Sequence, residues 1–149
     1  MKKTKFDYYK KYSPQKEIHT CGLHSVEFIL DFFNKKYESQ ELREKLKIDK
    51  LRMPFLLNFN LDDRLFSGAR PTKIQKILKD NDIDVYFLEP TRNISKIDKI
   101  ALGLSYTFTH WIVLFRDKTK LKVFDPLNGL YEYNDYIKML RINVFFPVN

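Results

Sequence analysis

Apolar positions along the chain follow two rhythms. From Cys21 to about Lys35, Leu23, Val26, Leu30 and Phe33 recur at three- and four-residue steps, with Ile29 beside them. That spacing predicts a helix that buries one face. Ser39 to Leu46 repeats it briefly, with Leu42 and Leu46 four apart and Ser39 as a capping side chain. A third helix is expected after the loop "SGARPT" (Ser67 to Thr72). Thr72 would cap it, Ile74, Ile77 and Leu78 would be its buried side, and "KDND" its end. The rhythm then shortens to two. "IDVYFL" alternates Ile83, Val85 and Phe87, and "HWIVLF", "LKVFD", "GLYEY" and "RINVFFPV" are rich in β-branched and aromatic residues. With turns at Asp117 to Lys120 and Pro126 to Gly129, these read as an antiparallel meander. Helices first and strands after predict an α+β fold in place of alternating βαβ units. Lys50 to Phe66 keeps no clean period, is broken at Met53-Pro54, and is assigned no element.

Composition narrows the class. A chain of 149 residues, 44% hydrophobic and 31% charged, suits one globular domain, residues 1–149, with its own core. No run approaches the roughly 20 apolar residues that cross a bilayer. The start, "MKKTKFDYYKKYSP", has the charges of a signal peptide without an apolar stretch behind them. One cysteine means no internal disulfide and fits a reducing compartment, so the expected location is the cytoplasm. The formal charge is +8, and half of it lies in Met1 to Glu17, where six lysines face Asp7 and Glu17. Tyr8, Tyr9 and Tyr12 interleave with those lysines, so residues 1–13 form a basic aromatic segment that a nucleic-acid arm would share. A solvated lysine-rich surface is the simpler account, because elsewhere acids and bases alternate.

The lone Cys21 opens the first predicted helix. A thiol near its free pKa, roughly 8.5, is mostly protonated at neutral pH and reacts slowly. Two things activate a thiol: the unpaired amides and dipole of a helix start, and an imidazole that takes its proton and stays beside it as a cation. Of the three histidines, His19 precedes the helix and His24 lies one turn further along it, so both are poorly placed. His110 opens the strand "HWIVLF", where its ring can be held rigidly. A histidine base needs a third group on its other nitrogen. Asp125 ends the strand "LKVFD" before Pro126, and if those two strands pair through "DKTK", His110 and Asp125 meet at one end of the hairpin. Gln15, six residues before Cys21, can donate its side-chain amide to an oxyanion alongside the Cys21 backbone amide, and such a donor contributes about 3–4 kcal/mol.

Gln15, "CGLHSVEFIL", "HWIVLF" and "VFDPLNG" together resemble the papain-like cysteine peptidases. The resemblance is closer to the bacteriocin-processing, double-glycine-leader peptidases and their stand-alone relatives, and it covers most of Pro14 to Tyr133. It implies a papain-like fold, with a helical half carrying Cys21 and a meander half carrying His110 and Asp125. Cys21 is then the nucleophile, His110 the general base and acid, Asp125 the orienting carboxylate and Gln15 the oxyanion-hole side chain. The substrate is a peptide or protein, and neither cofactor nor metal is required. Thr20 departs from the acidic residue usual before the cysteine in leader peptidases, and Gly22 from the tryptophan of papain.

Other readings stand beside this one. Cys21 alone is as good a buried core residue as a nucleophile. His110 can be a core histidine, and Asp125-Pro126 an ordinary turn start. His19, Cys21 and His24, followed by Asp31, are of zinc-ligand type, but the cluster straddles a helix start and lacks a convincing fourth ligand. The same thiol ester could pass its acyl group to an amine, which makes an acyltransferase, or the cleft could bind a peptide without cutting it. The ordered set of four residues favours a catalytic site, with hydrolysis as the first reading and acyl transfer on the same machinery as the alternative. It leaves the substrate's sequence and the oligomeric state open.

Overall fold

The computed structural model describes residues 21–46, 71–85, 87, 90–105, 110–126, 129–139 and 142–148. Gln15, His19, the 1–13 segment and Lys50 to Phe66 lie outside them. Helix α1 runs Cys21–Phe32, α2 Ser39–Leu46 and α3 Pro71–Asp80. A 3-10 turn at Ile94–Lys96 leads to strands β1 (Ile100–Ser105), β2 (Trp111–Asp117), β3 (Lys120–Asp125) and β4 (Gly129–Glu132). Helix α4 (Tyr133–Met139) and strand β5 (Ile142–Val148) follow. Helices packed on one antiparallel sheet meet the α+β expectation.

Local chemistry sets the helix ends. Asn34, at φ 56°, takes the left-handed conformation that stops α1 short of Lys35. The Lys35 amide then donates to the Leu30 carbonyl (2.8 Å) and that of Asn34 to Asp31 (3.1 Å), satisfying carbonyls the helix leaves open. Asp82 (φ 60°) closes α3 in the same way, with Ile83 bonded back to Leu78. Two caps differ from expectation. Ser39 is already helical, and the Glu38 carbonyl accepts the first bond, from the Leu42 amide. Thr72 lies inside α3, which opens on Pro71, where the missing N–H is no loss.

The sheet order is β4-β3-β2-β1-β5, antiparallel throughout. This corrects the plain meander: β2, β3 and β4 follow one another, but the chain then returns through α4 to lay β5 against β1. Among its described residues, "IDVYFL" forms no named strand. Ile83 and Val85 are buried, yet the segment's pairing is an isolated bridge from Val85 to Val148. "GLYEY" is strand only to Glu132, and Tyr133 begins α4.

Both faces of the sheet are covered. Leu102, Trp111, Val113, Phe115 and Phe124 face α1, α2 and α3, while Ala101, Ile112, Leu114, Val123 and Phe145 face the other way, towards Tyr136 of α4. Phe28 fixes α1 on the sheet, its ring 4.6 Å from that of Phe124 and 5.0 Å from that of Phe115. It is 4% exposed, and burying such a side chain stabilises by about 1.5–3 kcal/mol. This docking brings the first residue of α1 to the start of β2.

Candidate active site

Cys21 is the first described residue of α1. Its side chain is packed into the core and 4% exposed. The Trp111 amide, at the start of β2, donates to Cys21 Sγ over 3.5 Å, a contact spanning 90 residues of sequence. His110 precedes Trp111. In the β2–β3 register Val113 stands opposite Phe124 and Asp117 opposite Lys120, so His110 and Asp125 fall at the same end of the hairpin.

His110 Nε2 and Asp125 Oδ1 are 2.6 Å apart, a charge-assisted separation. The His110 side chain is 18% exposed and that of Asp125 fully buried. With Nε2 held by the carboxylate, Nδ1 is the ring nitrogen left to exchange a proton with the thiol. Burial of His110 pulls its pKa down. The hydrogen bonds to Asp125 and Cys21, and the charges on both, outweigh that and raise it from 6.5 to about 9. The structure thus brings Cys21, His110 and Asp125 together. It leaves His24 half-buried further along α1 and engages Asp31 with the Tyr37 hydroxyl at 2.9 Å. Among the described residues no cluster of three or more metal-ligating side chains forms, and no helix is long and apolar enough to cross a membrane.

Sequence reasoning missed one member of this arrangement. Tyr136 of α4 is 1% exposed and donates its hydroxyl to Asp125 Oδ2 over 2.6 Å. Burial, then the bond to Asp125, pushes the Tyr136 pKa up, so the hydroxyl stays a donor. Nothing local to "YNDYIKM" marks this tyrosine among the nine in the chain.

The raised His110 pKa has a consequence for stability. The folded state holds a proton there more tightly than the unfolded chain, so its contribution is complete below pH 6.5 and disappears as pH rises through about 9. The shift corresponds to about 3 kcal/mol. In urea titrations, the unfolding free energy of the wild type is expected to fall by about that much more between pH 6 and pH 10 than that of His110→Ala. Parallel curves would show that His110 is not charged in the folded state.

The helix-on-sheet architecture is that of papain-like peptidase domains of the double-glycine type. A double glycine motif protease from an AMS/PCAT transporter, solved in complex with the leader peptide, superposes with a TM-score of 0.60 at 14% identity, covering 91% of this chain and 88% of that one. The peptidase domain of Streptococcus ComA, a bifunctional ABC transporter involved in a quorum-sensing pathway, gives 0.58 at 12% identity, covering 91% and 94%. No protein-family sequence profile matches the chain, and no curated protein does. Identities this low establish the fold and leave the chemistry to the residues themselves.

Proposed function

We propose that this protein is a cysteine peptidase that cleaves a peptide through Cys21, His110 and Asp125. The observation that carries this reading is the His110 ring, bonded through Nε2 to a fully buried Asp125 and reached by the Cys21 thiol. The likeness to a protease solved with its leader peptide supports a peptide substrate. A reducing compartment such as the cytoplasm would keep the single thiol free.

In the proposed reaction His110 holds the thiol proton as imidazolium, and the thiolate adds to the scissile carbonyl carbon. The Cys21 amide steadies the oxyanion, with Gln15, outside the described residues, as the second donor. The imidazolium gives its proton to the departing amine, and the C–N bond breaks to leave a thioester. Water, deprotonated by the now neutral imidazole, adds to the thioester, and Cys21 leaves to regain the starting pair. Asp125 keeps the ring in the tautomer with Nε2–H directed at itself.

The direct test is alkylation of Cys21, the only thiol, with iodoacetamide, a reagent small enough for a sulfur that is 4% exposed. Wild type is expected to label readily at pH 6, and His110→Ala to label at least about tenfold more slowly there. Equal rates at every pH would reduce Cys21 to a packed core residue and leave peptide binding without cleavage as the function of the cleft.

A further inference from the structure

The Tyr136 contact reaches Asp125 from behind. Tyr136 belongs to the residue cluster on the face of the sheet opposite the cluster that holds Cys21. Its ring packs against Tyr131 of β4, with 5.5 Å between centroids. Its hydroxyl crosses to Asp125 Oδ2 at the end of β3, while Oδ1 faces His110.

We propose that Tyr136 is a positioning residue of this site, its hydroxyl fixing the plane of the Asp125 carboxylate so that Oδ1 holds the His110 ring towards Cys21. The inference rests on the cysteine-peptidase reading and adds a residue that touches no substrate. Rotation about the terminal torsion of an aspartate is soft and roughly two-fold. A bond on one oxygen leaves the carboxylate free to swing about that contact. Bonds on both oxygens, each 2.6 Å long, leave it one orientation. Both are charge-assisted, the stronger kind. Packing alone would need only the ring, and a phenylalanine would serve. A buried hydroxyl aimed at a buried carboxylate oxygen does more.

The prediction follows the groups that face the pair. Among the described residues these are Cys21 from α1, His110 at the start of β2, Asp125 from β3 and Tyr136 from α4, with Tyr131 of β4 beside the last. Removing the hydroxyl lets Asp125 turn from His110, and the imidazole then loses part of the support that keeps it protonated.

The experiment uses the full chain and the isosteric variant Tyr136→Phe, with folding checked by circular dichroism. The His110 titration, followed by NMR, is expected to move down by about one pH unit. Iodoacetamide labelling of Cys21 at pH 6 should slow by several-fold to tenfold. Asp125→Ala should slow it further, and adding Tyr136→Phe to that variant should change nothing more, because the hydroxyl acts through the carboxylate. In the wild type, the Tyr136 hydroxyl proton resonance should move as His110 titrates, a reading independent of how any variant folds. An unmoved resonance, an unshifted His110 titration in Tyr136→Phe, or an equal slowing with and without Asp125 would each overturn the proposal. Labelling that His110→Ala leaves unchanged in the wild-type background would instead overturn the peptidase reading, and the role of Tyr136 with it.

Discussion

Cys21→Ala is expected to reduce cleavage of a fluorogenic peptide substrate to background, a loss of roughly 10⁶ in kcat by analogy with removal of a protease nucleophile. Without the sulfur no acyl-enzyme forms, and water must attack the amide unaided. Ser25, the next small nucleophile along α1, is fully buried and cannot substitute. The fold should survive. Cys21 sits at the end of a core built mainly by Phe28, Ile29, Leu30 and the sheet, and trimming one sulfur removes less volume than the Leu→Ala changes that cost about 2–5 kcal/mol. Thermal unfolding of the variant separates a dead site from a lost fold. A folded Cys21→Ala protein that still cleaves at the wild-type rate would remove the mechanism altogether.

Asp125 is the second residue where a large effect is expected, and here the choice of substitution matters. Asp125→Ala leaves His110 Nε2 and the Tyr136 hydroxyl facing an apolar gap. Each buried group deprived of its partner costs about 1–3 kcal/mol. The imidazole is then free to rotate or to change tautomer, and kcat should fall by about 10²–10⁴, the range assigned to a well-placed acid–base group. KM should move little, because Asp125 is buried away from any substrate. Asp125→Asn should cost less stability but a comparable loss of kcat, because it fills the same space yet removes the charge and turns one of the two acceptors into an NH2 donor that selects the wrong tautomer. Measuring kcat, KM and urea stability for both variants checks the argument. An Asp125→Asn variant with the wild-type kcat would show that His110 needs neither the charge nor the second acceptor.

That Cys21, His110 and Asp125 meet was legible because the reasoning that brings them together is mostly local. One residue opens a helix, one opens a strand and one ends the next strand, and a two-residue turn joins those strands. The parts that were not legible depend on distant partners. Strand β1 carries no alternation, since Ile100, Ala101, Leu102 and Leu104 are all buried, as expected of a strand covered on both faces. Gly103 interrupts it further. A Cβ there would stand 2.6 Å from Ile112 Cγ1, so the glycine answers to the neighbouring strand and reads locally as a break. Helix α4, in "YNDYIKM", has aromatic and turn-forming residues that suggest a strand end. Its contacts with β3 and β4, including Tyr136 on Asp125, override that preference. "IDVYFL" fails the other way: its alternation matches the burial of Ile83 and Val85, but among the described residues Val85 pairs through an isolated bridge, to Val148. Gln15 lies outside the described residues, and its place in the oxyanion hole remains a proposal.

The contact between the Trp111 amide and Cys21 Sγ joins positions 90 residues apart, whereas His110 and Asp125 are only 15 apart. The hairpin that pairs the histidine with the aspartate can close early and cheaply. Delivery of the thiol waits for a much longer loop to close and for α1 to dock on the finished sheet. Reactivity at this cysteine is therefore expected late in folding. During refolding, iodoacetamide labelling of Cys21 is then expected to lag behind formation of the sheet, so that a partly folded copy holds the His110–Asp125 pair without its thiol.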